Sequence, residues 1–232
     1  MGLLRPVNFK HIPFNLPYVD LVSETNENGR TYFTPEGNSL KSITTVLGAV
    51  NNQGIEEWRN RVGNKEANRV SHHATTKGTA VHNICERYLN NESDHLGGES
   101  MPHVLFAWNT LKKILDSRVN NILAQETPLY SNKLRVAGRV DLIGEFDKKP
   151  SIIDFKTSSR LKLKEDIKSY FKQACGYSLM FQELTNISMK NLVILMSVDN
   201  DPTPHIFQEN REDWVEPLVK DIFEYYKNHQ TE

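Results

Sequence analysis

The stretch from 138 to 156, GRVDLIGEFDKKPSIIDFK, constrains this chain more than any other. Val136, Val140, Leu142 and Phe146 alternate with Arg135, Arg139, Asp141 and Glu145, the period of a strand. Residues 147–150 read as a polar turn closed by Pro150, and residues 152–156 as a second short strand, which makes a β-hairpin. Period two then sets Asp154 and Lys156 on one face and Ile153 and Phe155 on the other. A strand this apolar should be buried, and buried charges are costly unless they meet a partner or a metal. If the hairpin brings Asp141 opposite Asp154, two carboxylates and an ammonium converge. The carboxylates repel, a divalent cation relieves them, and the lysine is left to stabilise negative charge on a third party such as a phosphate. The competing reading is a buried Asp–Lys pair with Asp141 unrelated to it on a solvated edge.

The length of 232 residues, with 38% hydrophobic and 25% charged, fits one large domain or a domain with an insertion. No apolar run reaches 18 residues, so no membrane helix is expected. The first residues carry no signal-peptide, transit or myristoylation pattern, which predicts a cytoplasmic protein of a bacterial or phage-infected cell. Cys85 and Cys175 both fall in helical patterns and read as reduced core residues; two cysteines exclude a four-cysteine zinc or iron–sulfur site. A net charge of −1 excludes a generic nucleic-acid coat, so any such contact must come from local basic clusters.

Along the chain, residues 1–29 read as an irregular, proline-punctuated arm, 30–34 as a short strand, and 35–38 as a turn. A helix opens after the cap Ser42. Residues 55–62 form a short helix with Trp58, Arg59 and Arg61, and Trp58 reads as a core anchor. Residues 64–90 are helical with a break expected near 75–78; in the second piece His82 and Glu86, four apart, share one side. His72 and His73 read as surface residues. A polar loop at 91–102 precedes an amphipathic helix over 104–123, and residues 126–129 lead into the hairpin. After Lys156, Thr157, Ser158 and Arg160 form a turn suited to phosphate. A helix over 164–183 carries Lys164, Lys168 and Lys172 as a basic stripe beside Gln173 and Tyr177. That stripe reads either as a solvated face or as a nucleic-acid track. A buried strand at 191–198, its neighbour at 203–208 and a closing helix at 211–227 complete the chain; Pro217 implies a kink there or a start near Glu216.

Taken in order, the Gly78-Thr-Ala-Val-His82 segment with Glu86, Gly138-Arg-Val-Asp141, Ile153-Asp-Phe-Lys156-Thr and Gln173-x-x-x-Tyr177 carry a resemblance. Together they resemble the PD-(D/E)xK nuclease superfamily in its RecB-type branch. The N-terminal Arg30-x-Tyr-Phe, residues 42–47 and Trp58 are similar to the mitochondrial genome maintenance exonuclease group and its phage and bacterial relatives. Valine rather than proline precedes Asp141, and Asp154 stands where many members have glutamate. The resemblance implies an α/β fold, a central mixed sheet flanked by helices in a restriction-endonuclease-like core. It implies one nuclease domain over 1–232, with an N-terminal arm and helices to 63, a catalytic core over 64–208 and a closing helix over 209–232. It implies a metal held by His82, Asp141, Asp154 and the Phe155 carbonyl, with Mg²⁺ as cofactor and Mn²⁺ as a substitute. Lys156 would orient or activate the attacking water, Glu86 would hold a water or His82, and Gln173 and Tyr177 would support Lys156 and contact the scissile strand.

The expected activity is hydrolysis of DNA phosphodiesters from ends, on single-stranded DNA with a free end, in replication, repair or recombination and alongside proteins of those processes. A structure-specific or flap endonuclease on the same fold is the first alternative, and a catalytically inactive nucleic-acid-binding subunit the second. Beyond the lysine stripe, Arg59, Arg61 and Lys77 are the alternative contacts for the strand.

Overall fold

The computed structural model describes residues 8–50 and 53–229; the first seven residues of the expected arm lie outside that range. Strands β1 (Val22–Asn26), β2 (Gly29–Phe33) and β3 (Ser39–Ser42) lead into α1 (Ile43–Val50), then α2 (Gln53–Val62), α3 (Asn64–Leu89) and α4 (Pro102–Arg118). Next come β4 (Val119–Ser131), β5 (Val136–Phe146) and β6 (Lys149–Ser158), and a 3₁₀ turn (Lys164–Ile167) enters α5 (Lys168–Thr185). β7 (Asn191–Val198), β8 (Asp201–Asn210) and α6 (Glu212–Asn228) close the chain. All eight strands join one mixed sheet in the order β1-β2-β3-β5-β6-β7-β8, with β4 also paired to β5. The expected α/β architecture, a mixed sheet with helices on both faces, is what forms.

Two apolar clusters sandwich the sheet. One gathers Ile43, Val46, Phe171, Met180, Phe181 and Leu218 from α1, α5 and α6. The other gathers Val81, Ile84, Leu89, Trp108 and Leu111 from α3 and α4. Both buried cysteines sit in these clusters as free thiols.

The feature that positions the site is a fork. Along one edge β5 pairs with β4 for most of its length. On the other edge it pairs with β3 in parallel only at Val136 and Ala137, and with β6 only from Leu142 to Phe146. Residues 138–141 therefore have no strand beside them on that edge. Ile43 and Tyr177 fill part of the gap: a Cβ on Gly138 would stand 2.8 Å from Tyr177 Cε1 and 3.3 Å from Ile43 Cγ2. β5 also changes faces here. Val136, Val140 and Ile143 enter the first cluster while Leu142 and Phe146 enter the second, so the single alternating face expected of residues 136–146 breaks at Asp141.

Several expectations need correction. The hairpin turn is the two residues Asp147 and Lys148, both at positive φ (50° and 63°), the pattern of a tight hairpin turn; Lys149 and Pro150 already belong to β6. α3 is one unbroken helix, because Gly78 keeps helical geometry. α4 ends at Arg118, and residues 119–123 are strand: the apolar positions Val119 and Ile122 meet the core as well from β4 as from a continued helix. β1 pairs with β2 where an irregular arm was expected; all five of its residues are exposed, so no alternation marked it. Trp58 is half-buried and belongs to neither main cluster. α6 starts at Glu212 and runs through Pro217. Ser42 caps α1 as expected, its Oγ accepting the Thr45 N–H at 3.0 Å.

α1 and α5 cross at Gly176, where an added Cβ would fall on Ile43 Cδ1. Gly176→Ala should therefore destabilise by about 1–3 kcal/mol, the usual cost of overpacking. Ile43→Val removes the clashing methyl, so chemical denaturation of the double variant should show a smaller loss than the two single losses added together. Simple additivity would show that this crossing is not the tight contact described.

Candidate active site

The site residues arrive on five different elements. α3 supplies His82, β4 Glu126, β5 Asp141, β6 Asp154 and Lys156, and α5 Gln173 and Tyr177. The β5–β6 register runs from Phe146 opposite Lys149 to Leu142 opposite Ile153. One step further Asp141 comes opposite Asp154, as the hairpin reading required, but there backbone pairing gives way. The Asp141 carboxylate takes the Phe155 N–H at 2.8 Å, and the Phe155 carbonyl meets His82 Nε2 at 2.8 Å. Both polar backbone groups of Phe155 are thus satisfied by site side chains rather than by a strand.

His82 then shows its other nitrogen to the acids, with Nδ1 3.5 Å from Asp141 Oδ2. With Nε2–H donating to the carbonyl, Nδ1 keeps a lone pair for a cation, the usual way a backbone oxygen orients a metal-binding histidine. His82, Glu126 and Asp141 each bring one ligand atom, and these lie within 4.8 Å of one another. Glu126 is the residue that sequence reasoning missed. It sits at positive φ (42°), opposite Asp141 where the β4–β5 ladder skips a pair, and that unusual backbone accompanies its place beside the fork. Glu126 stands between Gln125 and Thr127 in β4, so no clash of charge with an apolar pattern marked it.

Asp154 lies outside that triad and is fully buried. Its Oδ1 accepts from Gln173 Nε2 at 3.0 Å, while Oδ2 touches the Lys156 ammonium without an aligned hydrogen bond. Gln173 Nε2 also stands 3.3 Å from Tyr177 Oη, so the Gln-x-x-x-Tyr pair braces Asp154. Lys156 lies 5.2 Å from the Tyr170 ring centre, a cation–π contact. Burial pulls the Lys156 pKa down, but Asp154 and Asp141 outweigh it and hold the ammonium above its usual value. Burial, opposed by Lys156, pushes Asp154 up to about 6. Burial, reinforced by Asp141, pushes Glu126 up to about 7, and Glu86 one turn beyond His82 adds to it. Acids raised this way are poorly solvated and lie close to one another. A donor set of one imidazole and two carboxylates, its ligand atoms within 4.8 Å of one another, fits a hard divalent cation.

The expected strand contacts divide. Thr157 is half-buried beside Gly78, and Ser158 Oγ is used by the Arg160 backbone. Arg160 and Lys168 are exposed. Lys164 is ion-paired to Glu209 and stands on the 3₁₀ turn, not on α5, while Lys172 is largely buried against Asp221 at 2.5 Å. The three lysines therefore do not form one continuous helical stripe, and two of them are committed to carboxylates. Lys77 is buried and paired with Asp199, and the Arg59 guanidinium bonds Asn68 at 3.0 Å. Arg61 is exposed, as are His72 and His73.

Among known proteins, the chain resembles the crystal structure of a candidate exonuclease from Eubacterium rectale, with a TM-score of 0.44, 11% identity, and 68% and 69% of the two chains covered. No curated protein sequence matches it. The family model of the PD-(D/E)XK nuclease superfamily matches residues 57–224, a span that holds every residue of the site just described. This chain belongs to the PD-(D/E)XK nuclease superfamily.

Proposed function

We propose that this nuclease is a divalent-metal-dependent exonuclease that removes nucleotides from the ends of single-stranded DNA. We assign it to the RecB-type branch, and within that to the mitochondrial genome maintenance group and its phage and bacterial relatives. The observation that carries the reading is the meeting of His82, Glu126 and Asp141 with the buried Asp154–Lys156 pair at the fork between β3 and β6. Residues 1–232 would act as one nuclease domain, and the setting we infer is replication, repair or recombination.

His82 Nδ1, Glu126 and Asp141 would hold the cation, with Asp154 Oδ2 closing the set from β6 and Mg²⁺ or Mn²⁺ as the ion. The Phe155 carbonyl, expected as a ligand, meets His82 Nε2 and would orient that ring toward the cation. When bound, the cation supplies charge stabilisation at the phosphoryl oxygens and acidifies water. Lys156 keeps its proton, held by Asp154, and places a positive charge where negative charge builds on the phosphate. Gln173 holds Asp154 against that lysine and is held in turn by Tyr177. Glu86 tunes Glu126 by charge.

On end-labelled linear and circular single-stranded DNA with Mg²⁺, only the linear substrate should shorten, progressively from an end. Cuts in the circle would make the protein an endonuclease, and binding without cleavage would make it an inactive subunit. Asp154→Asn should abolish cleavage without lowering the melting temperature, since it removes one charge from a crowded acid group. Lys156→Ala should lose roughly 10²-fold or more in rate.

The acids also set a pH dependence of stability. In the folded state Asp154 and Glu126 titrate near 6 and 7, above their unfolded values of about 3.9 and 4.3. The folded protein therefore binds these protons more tightly, and their contribution is lost as pH rises from about 4 to about 7. Melts in EDTA should fall across that window, and Mg²⁺ or Mn²⁺ should raise the melting temperature more at pH 8 than at pH 5. An increment independent of pH would separate the cation from these carboxylates.

A further inference from the structure

A hollow of about 660 Å³ lies away from the acids, between the β1–β2 turn, β3, α1 and the end of α6. A second hollow of about 240 Å³ lies beside Gln173 and Tyr170, with Leu47 and Ile55 in its walls. Thr44 and Gly48 line both, so the two adjoin on the exposed face of α1. One end of this groove is Gln173, which bonds Asp154. Lys41 and His229 line the other end, with Glu27 as its one carboxylate among the described residues.

The floor of the groove is glycine without a structural reason. Gly48 lies inside α1 at ordinary helical φ, and a Cβ there would meet nothing within 4 Å. Glycine is the poorest helix former after proline, so the fold itself gains by any other residue at this position. Glycine without packing on it suits a site where another backbone passes close by. The wall, by contrast, is built tightly. Gly29 at φ 90° lets the β1–β2 turn press on Thr45, where a Cβ would clash, and Lys41 Nζ reaches the Asn28 carbonyl at 3.4 Å.

We propose that one unpaired polynucleotide strand lies in this groove, crossing α1 at Gly48 between the catalytic centre and Lys41. The assignment rests on the nuclease reading above. Beside the acids, the Tyr170 ring that lines the inner hollow has the Lys156 and Lys162 ammonium groups 5.2 Å and 5.6 Å from its centre, cations that suit a phosphate backbone. The inner hollow, about 240 Å³, leads from the face of α1 to Gln173. At the far end Lys41 supplies the phosphate contact that Lys164 and Lys172, both ion-paired, are poorly placed to give.

Gly48→Glu places bulk and negative charge in the groove with no neighbour to displace, so it should fold with an unchanged or higher melting temperature. Lys148→Gln, at the hairpin turn distal to the acids, lowers the net charge by the same single unit and serves as control. Binding of fluorescein-labelled oligothymidylate in Ca²⁺ should weaken at least about tenfold for Gly48→Glu, because like charges set together in an interface are strongly unfavourable, and stay at the wild-type value for Lys148→Gln. Because Cys85 and Cys175 are buried, Gly48→Cys adds an exposed thiol, and oligothymidylate should slow its labelling by a maleimide. Equal binding by Gly48→Glu, or labelling indifferent to oligothymidylate, would overturn the proposal. Wild-type protein that binds oligothymidylate through this groove but cleaves no DNA with Mg²⁺ or Mn²⁺ would leave the groove standing and remove the nuclease reading instead.

Discussion

Gathering four ionisable groups, two buried and two half-buried, at the seam between two strands is the constraint on which the rest of this molecule turns. Asp141, Asp154, Lys156 and Glu126 sit at or near the place where β5 has lost β3 and not yet gained β6. In a regular sheet such groups would leave backbone donors and acceptors unpaired, or force charges into the apolar layers on either side. Here the side chains do the work of a strand: Asp141 accepts the Phe155 N–H and His82 meets the Phe155 carbonyl. The fork satisfies the backbone and creates the site in one arrangement.

The two apolar clusters make that arrangement rigid. α3 is anchored by Val81, Ile84 and Leu89 in one cluster, which fixes His82. α5 is anchored by Phe171, Met180 and Phe181 in the other, which fixes Gln173 and Tyr177. Elements from both faces of the sheet therefore aim at one edge of β5. Raised carboxyl pKa values are the electrostatic consequence: burial disfavours the charged forms of Glu126 and Asp154, the neighbouring Asp141 adds to it, and a divalent cation is a partner that relieves both.

Much of this site is legible in the sequence because charge conflicts with pattern. Asp154 and Lys156 stand out as polar residues in a strand too apolar to be exposed, and Asp141 as the acid that the hairpin register carries toward them. The four-residue spacings of His82 with Glu86 and of Gln173 with Tyr177 place each pair on one side of its helix. Glu126 could not be read this way, because its role comes from a left-handed backbone and a skipped strand pair, neither of which leaves a periodic trace. The lysine stripe misled for a related reason. Spacing shows which residues share a helix face, but Glu209 and Asp221, the acids that neutralise Lys164 and Lys172, come from β8 and α6, far along the chain. Boundaries failed where one pattern serves two structures, as at Val119 and Ile122, whose burial suits either a longer α4 or the start of β4.

The central claim is that the fork holds a divalent cation between α3, β4 and β5. An anomalous difference map from crystals soaked in Mn²⁺ tests it most directly. One strong peak is expected at about 2.0–2.5 Å from His82 Nδ1, a Glu126 oxygen and an Asp141 oxygen. A map with no peak among these three residues, or with manganese bound elsewhere on the molecule, would contradict it.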